Sequence, residues 1–167
     1  GSDHVPYNGE TTGYLRWNST LAAHSGELWL TLNEGDTWQQ IASGIDLRAG
    51  LFRWRAPDTT ATAQLKMVVE GNEYLSDEFV VHRTTVPRIG YFCGDSTRIA
   101  WKQLPAAMGY EVLNWNNGSM ETMLSTTDTA AVFQSGGLNS RFLSIRAVLK
   151  NGKKTLASPS VNYEFGT

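Results

Sequence analysis

The chain has 167 residues, 41% hydrophobic and 18% charged, which excludes a disordered polypeptide and leaves room for one large domain or two smaller ones. Its net charge of −2 excludes the strong positive field of a typical nucleic-acid-binding protein. Residues 1–86 carry six Lys/Arg and eleven Asp/Glu, whereas residues 87–167 carry eight and five. This difference is interpreted as drift between two surfaces, with head-to-tail attraction between two domains as the alternative.

Targeting segments are not recognisable in the sequence. No apolar stretch approaches the roughly 18 residues that a membrane-spanning helix needs, so no membrane insertion is expected. No signal peptide is found, and the opening Gly1-Ser2 resembles a protease scar. The chain is therefore interpreted as a trimmed fragment of a larger protein.

Short runs of alternating apolar residues, separated by turn residues, predict an all-β first half. The predicted strands are Gly13–Asn18, Glu27–Asn33, Trp38–Ala42, Leu51–Ala56, Ala61–Glu70 and Asp77–Arg83. The predicted turns are Asn33–Asp36, Ser43-Gly44, Pro57-Asp58 and Gly71-Asn72.

The second half shows the same alternation. Its predicted strands are Arg88–Cys93, Thr97–Gln103, Gly109–Trp115, Met120–Ser125, Ala130–Gln134, Arg141–Lys150 and Thr155–Phe165. A boundary is predicted at residues 83–87, where one long strand ends and Pro87 opens the next. The fold class is therefore all-β, with two tandem immunoglobulin/fibronectin III-like β-sandwich domains at residues 1–85 and 86–167.

Four of the six tryptophans are assigned to the two cores from their phase in the predicted strands. They are Trp17, Trp38, Trp54 and Trp101. Trp38 is expected to return into the first core after a hairpin turn formed by Asn33–Asp36.

Residues 95–165 resemble a fibronectin type III domain. The matching segments are Ile99-Ala100-Trp101, Ala107–Val112 and Leu143–Ala147, which coincide with the core positions of that family. The resemblance implies a seven-stranded sandwich with a spacer or recognition role. No Arg-Gly-Asp tripeptide is present, so nothing indicates integrin binding.

Residues 12–82 resemble a second sandwich type, found in multimodular surface proteins of Bacteroidota, where it commonly follows the catalytic domain of secreted peptidases and other hydrolases. The segments that carry this resemblance are Trp17, the hairpin Thr31–Trp38, Phe52–Pro57 and Ser76–Phe79. The hairpin also resembles the Asp-box of sialidases, with Thr31 in place of Ser and Asn33 in place of Asp. One copy is too few for a propeller, which needs several blades.

Three tripeptides resemble the O-glycosylation signal of periplasmic and secreted Bacteroidota proteins. Their acceptor residues are Thr59, Ser96 and Thr129, all in or beside predicted turns. Two Asn-x-Ser/Thr sequons, at Asn18 and Asn117, would matter only in a eukaryotic secretory route.

No catalytic or metal-binding constellation is recognised, and no cofactor is expected. The histidines His4, His24 and His82 accompany no nucleophile motif, and no His or Cys pair has zinc spacing. The single cysteine, Cys93, excludes an internal disulfide and is interpreted as a buried thiol. Adjacent Asp77 and Glu78 point to opposite faces of a strand, which disfavours a shared calcium ion.

Strand phase predicts a contact patch on the outer face of the second domain. Its members are Leu113, Trp115, Phe142 and Val148, and Trp29 is a similar outward position in the first domain. The patch either packs against a neighbouring domain or loop, which is favoured, or binds a ligand such as a glycan.

The resulting function is a non-catalytic accessory, spacer or protein-interaction module of a larger secreted or cell-surface bacterial protein, with a peptidase as the expected parent and a periplasmic location also open. Expected partners are other domains of the same polypeptide or surface proteins. The alternatives are a carbohydrate-binding or adhesion module that uses Trp115 or Trp29, and, less favoured, an enzyme.

Overall fold

β-Strands joined by turns and short 3₁₀ segments form the chain, which divides into two units, Gly1–His82 and Arg83–Thr167. A computed structural model describes residues 4–7, 12–18, 25–83 and 85–162, with the backbone alone at 4–7, 12, 91–93 and 135. The first unit contains β1 His4–Tyr7, β2 Thr12–Arg16, β3 Ser25–Thr31, β4 Gln39–Asp46, β5 Leu51–Arg55, β6 Ala61–Val69, β7 Asn72–Leu75 and β8 Phe79–Arg83. The second contains β9 Arg88–Cys93, β10 Ser96–Ala100, β11 Ala107–Asn116, β12 Ser119–Thr126, β13 Ala130–Gln134, β14 Phe142–Leu149 and β15 Val161–Asn162.

In the first unit, β2 pairs with β5, and the second sheet has the order β4-β3-β6-β8-β1, with β7 also on β6. Both sheets contribute to one core, because inward residues alternate along each strand. The members of this core include Leu15, Leu28, Leu30, Trp54, Ala63, Leu65, Phe79 and Val81. The rings of Trp54 and Phe79 meet edge to face, with their centroids 6.1 Å apart.

Gly13 lies opposite Trp54 across the β2–β5 pair. A Cβ atom at position 13 would lie 2.5 Å from Nε1 of Trp54, well inside van der Waals contact. The absence of a side chain at Gly13 therefore gives the indole of Trp54 its place in the first core.

In the second unit, the sheet orders are β13-β10-β9 and β12-β11-β14-β15. Residues of both sheets form its core, among them Ile99, Trp101, Tyr110, Val112, Phe133, Leu143, Ile145 and Ala147. Trp101 and Tyr110 pack with ring centroids 5.5 Å apart, and the Tyr110 hydroxyl accepts the Leu104 amide at 2.9 Å. The buried tyrosine thus keeps its polar atom satisfied.

These strand orders confirm the predicted fold class, an all-β chain of two tandem immunoglobulin/fibronectin III-like sandwiches. In each unit, the smaller sheet pairs an early strand, β2 or β10, with the strand that follows the hairpin of the larger sheet, β5 or β13. That larger sheet places the hairpin β3–β4 or β11–β12 beside β6 or β14. Strands β1 and β7 were not predicted, because both are only four residues long.

The last strand of each unit is interrupted along its neighbour. The strand predicted near Asp77–Arg83 begins two residues later, at Phe79, after a break that separates it from β7. The continuous strand predicted at Thr155–Phe165 is wrong in extent, because only Val161–Asn162 of its described residues forms a strand. In the first unit, Ser76 lies between β7 and β8, and its hydroxyl accepts the Leu65 amide at 3.0 Å. In the second, the Thr155 hydroxyl accepts the Ala147 amide at 2.9 Å, and the Ser158 hydroxyl accepts the Ile145 amide at 3.1 Å. Residues 163–165 lie outside the described residues.

Ser43-Gly44 does not form the predicted turn. It lies within β4, which continues to Asp46, and the β3–β4 register shifts there from Gly26↔Ile45 to Leu28↔Ala42. One extra residue on β4 makes a β-bulge, for which Gly44 supplies a positive φ of 65°. The strand predicted at Thr97–Gln103 ends earlier, at Ala100, although the Trp101 amide still donates to the Thr129 carbonyl at 2.9 Å just beyond its end.

The hairpin turn between β3 and β4 is closed by side chains. The Asn33 Oδ1 atom accepts the Thr37 amide at 3.0 Å and the Thr31 hydroxyl at 2.9 Å. The Thr31 Oγ1 atom accepts the Gly35 amide at 3.0 Å, while Asn33 Nδ2 donates to Thr37 Oγ1 at 2.9 Å. Glu34 and Gly35 both have positive φ, so local hydrogen bonds hold a backbone that few residues adopt.

We expect Asn33→Ala to lower the free energy of unfolding of the first unit by about 1–2 kcal/mol, because it removes several hydrogen bonds from an exposed turn. Asn33→Asp keeps the accepting oxygen and is expected to cost less. Urea denaturation of both variants measures the difference. Equal stability of Asn33→Ala and the parent chain would show that the side chain does not hold the turn.

Candidate interaction surface

Among the aromatic side chains that the structure describes in the second unit, the most exposed pair lies on the outer face of the sheet β12-β11-β14-β15. Val112 and Leu143 point into the core. Trp115 lies three positions after Val112, and Phe142 lies one position before Leu143, so both point to the opposite, outer face. The register pairs Asn114 with Leu143, which makes Trp115 and Phe142 cross-strand neighbours. Each residue is 43% exposed. Met120 lies opposite Trp115 on β12, so the outward row crosses three strands.

Leu113 does not belong to this surface, and its prediction as an exposed patch member is wrong. It is 1% exposed. Leu113 lies on an inner strand, with Thr122 and Ser144 opposite it on the two sides and with Glu111 and Trp115 on the same face. A side chain surrounded in this way is covered even though it points away from the core.

Val148 is half-buried and lies at the far end of β14, opposite Gly109. It lies six positions from Phe142, which corresponds to about 20 Å along a strand. The intervening outward rows contain Ser144 and the ion pair of Glu111 with Arg146. The predicted continuous patch is therefore wrong, and the surface reduces to the Trp115–Phe142 pair.

Glu111 forms a charged cluster on the same outer face. Its carboxylate oxygens lie 2.6 Å from Arg146 Nε and 2.8 Å from Lys154 Nζ. The Glu111 side chain is 11% exposed, and burial by itself would raise its pKa. The hydrogen bonds and charges of Lys154 and Arg146 outweigh that effect and lower the pKa below its ordinary value of 4.5. The cluster ties β11 to β14 and to the chain that follows it.

Trp29 lies half-buried on the outer face of the first unit, between Gln40 of β4 and Lys66 of β6. Its indole Nε1 donates to Glu27 at 3.2 Å. Lys66 Nζ lies 4.7 Å from the ring centroid of Trp38 and 2.8 Å from Glu73. The indole of Trp29 is thus surrounded by polar side chains, one of which accepts its hydrogen bond.

Trp38 is half-buried and contacts Lys66 outside the first core, so its assignment to that core is wrong. Lys66 could have indicated this position in the sequence. It follows the core residue Leu65 on β6 and therefore points to the outer face, where it meets Trp38. Trp54 and Trp101 are core residues as predicted. Trp17 is half-buried against the first core and donates from Nε1 to the Leu47 carbonyl at 2.8 Å.

The predicted O-glycosylation acceptors are all half-buried and lie at or beside strand ends. Thr59 precedes β6, and its amide donates to the Pro57 carbonyl. The Ser96 hydroxyl accepts from Gln134 at 3.1 Å. Thr129 precedes β13. Modification of these residues remains a prediction.

The titratable residues considered from the sequence fall in different places. His82 is buried in β8, and Asp77 and Glu78 lie between β7 and β8. His24 and the side chains of His4 and Cys93 lie outside the described residues. Within the described ranges, no three His, Cys, Asp or Glu side chains gather where they could hold a metal ion. No described helix has the length and apolar character needed to cross a membrane.

The sequence did not predict an apolar cavity of about 430 Å³ in the first unit. Its walls include the core residues Leu28, Leu47 and Leu65. The Ser76 hydroxyl on its lining already bonds the Leu65 amide and the Asp77 carbonyl. The cavity is thus a gap at the edge of the first core, with few polar groups to orient a ligand.

The fold and this surface together define a tandem β-sandwich module that carries an exposed aromatic pair on the second sandwich. No protein-family model matches the chain, and no curated protein matches it. Among solved structures, it is similar to a two-domain fibronectin type III segment from chicken tenascin, with 15% identity and a TM-score of 0.47, over 92% of this chain and 93% of that one.

Two further similarities are to domains 3 and 4 of rat CD4 and to the central fibronectin III array of a RIM-binding protein. The CD4 match has 7% identity and a TM-score of 0.40, over 98% of this chain and 100% of that one. The RIM-binding protein match has 12% identity and a TM-score of 0.37, over 93% and 59%. At these scores the similarities carry no information on function.

We expect Glu111 to make the second unit sensitive to acid. Because the folded-state pKa of Glu111 is lowered, the cluster stabilises the fold above the ordinary, unfolded-state pKa of this carboxyl group, and this stabilisation is lost as the pH falls through the lower folded-state pKa. Glu111→Gln is expected to remove this part of the pH dependence. Urea denaturation between about pH 2 and pH 7 measures it. An unchanged pH profile in Glu111→Gln would contradict the assignment.

Proposed function

We propose that this chain is a non-catalytic accessory region of a larger secreted or cell-surface bacterial protein, and that it works as a spacer and protein-interaction module. The two modules are residues 1–85 and 86–167. The parent is proposed to be a multimodular Bacteroidota protein, in which a peptidase domain precedes these modules. The sequence resemblance of residues 12–82 to accessory sandwiches of such proteins supports this context.

The observation that carries the interaction role is the Trp115–Phe142 pair. Two large aromatic side chains stand side by side on adjacent strands, and each is 43% exposed. Neighbouring inner strands hold both backbones, so little conformational entropy remains to be lost when a partner binds. Tryptophan is also among the residues that contribute most to the energy of protein interfaces.

The proposed partner is another part of the same polypeptide or a second surface protein. Glu111, Arg146 and Lys154 lie on the same face and supply a polar region beside the aromatic pair. An apolar centre with charged groups at its side has the composition of a protein interface. The ion pairs would contribute orientation more than affinity.

Carbohydrate binding is the second candidate. The exposed indole of Trp115 offers a flat face on which a sugar ring can stack, and Phe142 extends that face across the next strand. The charged groups on this face, Glu111, Arg146 and Lys154, already bind one another rather than pointing at a sugar, so the protein partner is favoured. Trp29 supports this candidate less, because its indole already bonds Glu27.

We expect Trp115→Ala to weaken binding of this chain to the separately expressed remainder of its parent polypeptide by at least about tenfold, because Trp side chains dominate many interfaces. Isothermal titration calorimetry measures the affinity. Met108→Ala is the matched control, since Met108 lies on the same strand and is 67% exposed. Equal affinities of Trp115→Ala and the unmodified 167-residue chain would overturn the proposed interaction surface. A glycan-array signal lost in Trp115→Ala would favour the carbohydrate candidate instead.

A further inference from the structure

Among the strands that the structure describes, β13 is an edge strand without the usual protection against pairing. It ends the sheet β13-β10-β9, and its sequence Ala-Ala-Val-Phe-Gln contains no charged residue. Every other described strand of four or more residues contains a charged residue, a histidine or a proline. Charges and prolines on edge strands prevent the unpaired backbone from adding a further strand.

The geometry of β13 is also regular. Its register with β10 runs unbroken from Ser96↔Gln134 to Ala100↔Ala130. The pairings of the edge strands β4 and β12, by contrast, both contain register shifts. A β-bulge twists an edge away from a flat partner, so its absence leaves β13 suited to pairing.

The side chains of β13 alternate in a way that fits a second copy of the same strand. Val132 is 53% exposed and points outward, whereas Ala131 and Phe133 are buried on the inner side. If two copies of β13 pair in antiparallel fashion about Val132, each Ala131 lies opposite the Phe133 of the other copy. A small residue then faces a large one, and no charge faces a like charge.

We propose that the chain self-associates through β13, with two copies of the strand pairing in antiparallel fashion around a two-fold axis at Val132. The two three-stranded sheets would thereby join into one sheet of six strands. Arg98, which pairs with Val132 within each copy, is the nearest charge. The two Arg98 positions of such a pair are three strand spacings apart, about 14 Å, which exceeds the screening length of about 8 Å at physiological salt.

This association is separate from the surface of Trp115 and Phe142, because β13 belongs to the other sheet of the second unit. One strand pair buries much less area than the roughly 1,600 Å² of a standard interface, so we expect weak association, with Kd of about 0.1–1 mM. A weak contact of this kind becomes effective when the parent proteins are held close together on one surface.

Sedimentation equilibrium of the 167-residue chain tests the proposal. We expect Val132→Lys to weaken the dimer about tenfold, because the two introduced charges face each other at the two-fold axis. Val132→Glu is expected to do the same. An equimolar mixture of the two variants is expected to regain association, since opposite charges then meet. Thermal melts verify that each variant remains folded.

Two controls separate this contact from others. Met108→Lys adds the same charge at a more exposed position on the other sheet, and Trp115→Ala removes the aromatic surface. Both are expected to leave the dimer intact. The proposal is overturned if the unmodified chain stays monomeric, if Val132→Lys dimerises as strongly as the unmodified chain, or if the mixture of the two variants shows no recovery of dimer. A monomeric chain that instead binds an unrelated extended peptide at β13 overturns it as well.

Discussion

The structure depends on acceptors for buried amides of the strand next to the last strand in each sandwich. These strands, β6 and β14, carry core residues such as Leu65 and Ile145. Because the last strands are interrupted, hydroxyls replace part of the backbone ladder. Ser76 supplies one in the first unit, and Thr155 and Ser158 supply two in the second. An unsatisfied buried amide costs about 1–3 kcal/mol, so each hydroxyl protects the core beside it.

The outer faces of the two larger sheets differ from their cores in the kind of interaction they use. In the first unit, Lys66 joins the ring of Trp38 to the carboxylate of Glu73. In the second, Glu111 joins Arg146 and Lys154. Each face thus carries long side chains around an ionic contact, and these cover sheet surface that would otherwise be bare. The Trp115–Phe142 pair lies at the end of such a face.

The period-two alternation was sufficient to predict the fold class, because inward residues such as Tyr110, Val112, Leu143 and Ile145 occupy the core they were expected to share. Interruptions were harder to predict. Ser43-Gly44 has turn composition, yet a strand accepts it as a bulge, and the choice depends on a partner strand that is distant in sequence. Serine and threonine at strand ends likewise give no local sign that their hydroxyls replace backbone acceptors.

The candidate surface was predictable only in part. Alternation gives the direction of a side chain, and Trp115 and Phe142 are exposed as predicted. Exposure also depends on the neighbours across the sheet, which is why the outward Leu113 is nevertheless buried. Continuity depends on the register, which separates Val148 from the aromatic pair. The alternation along one strand predicts neither the neighbours of a side chain across the sheet nor the register of the paired strands.

The contact of Gly13 with Trp54 has a consequence for how this sequence can evolve. The indole fills the volume that a methyl group at position 13 would need. A lineage that gains a side chain at position 13 must therefore reduce the aromatic at position 54, and neither change is tolerated well alone. Substitutions at the two sites should be inherited together, although 41 positions separate them along the chain.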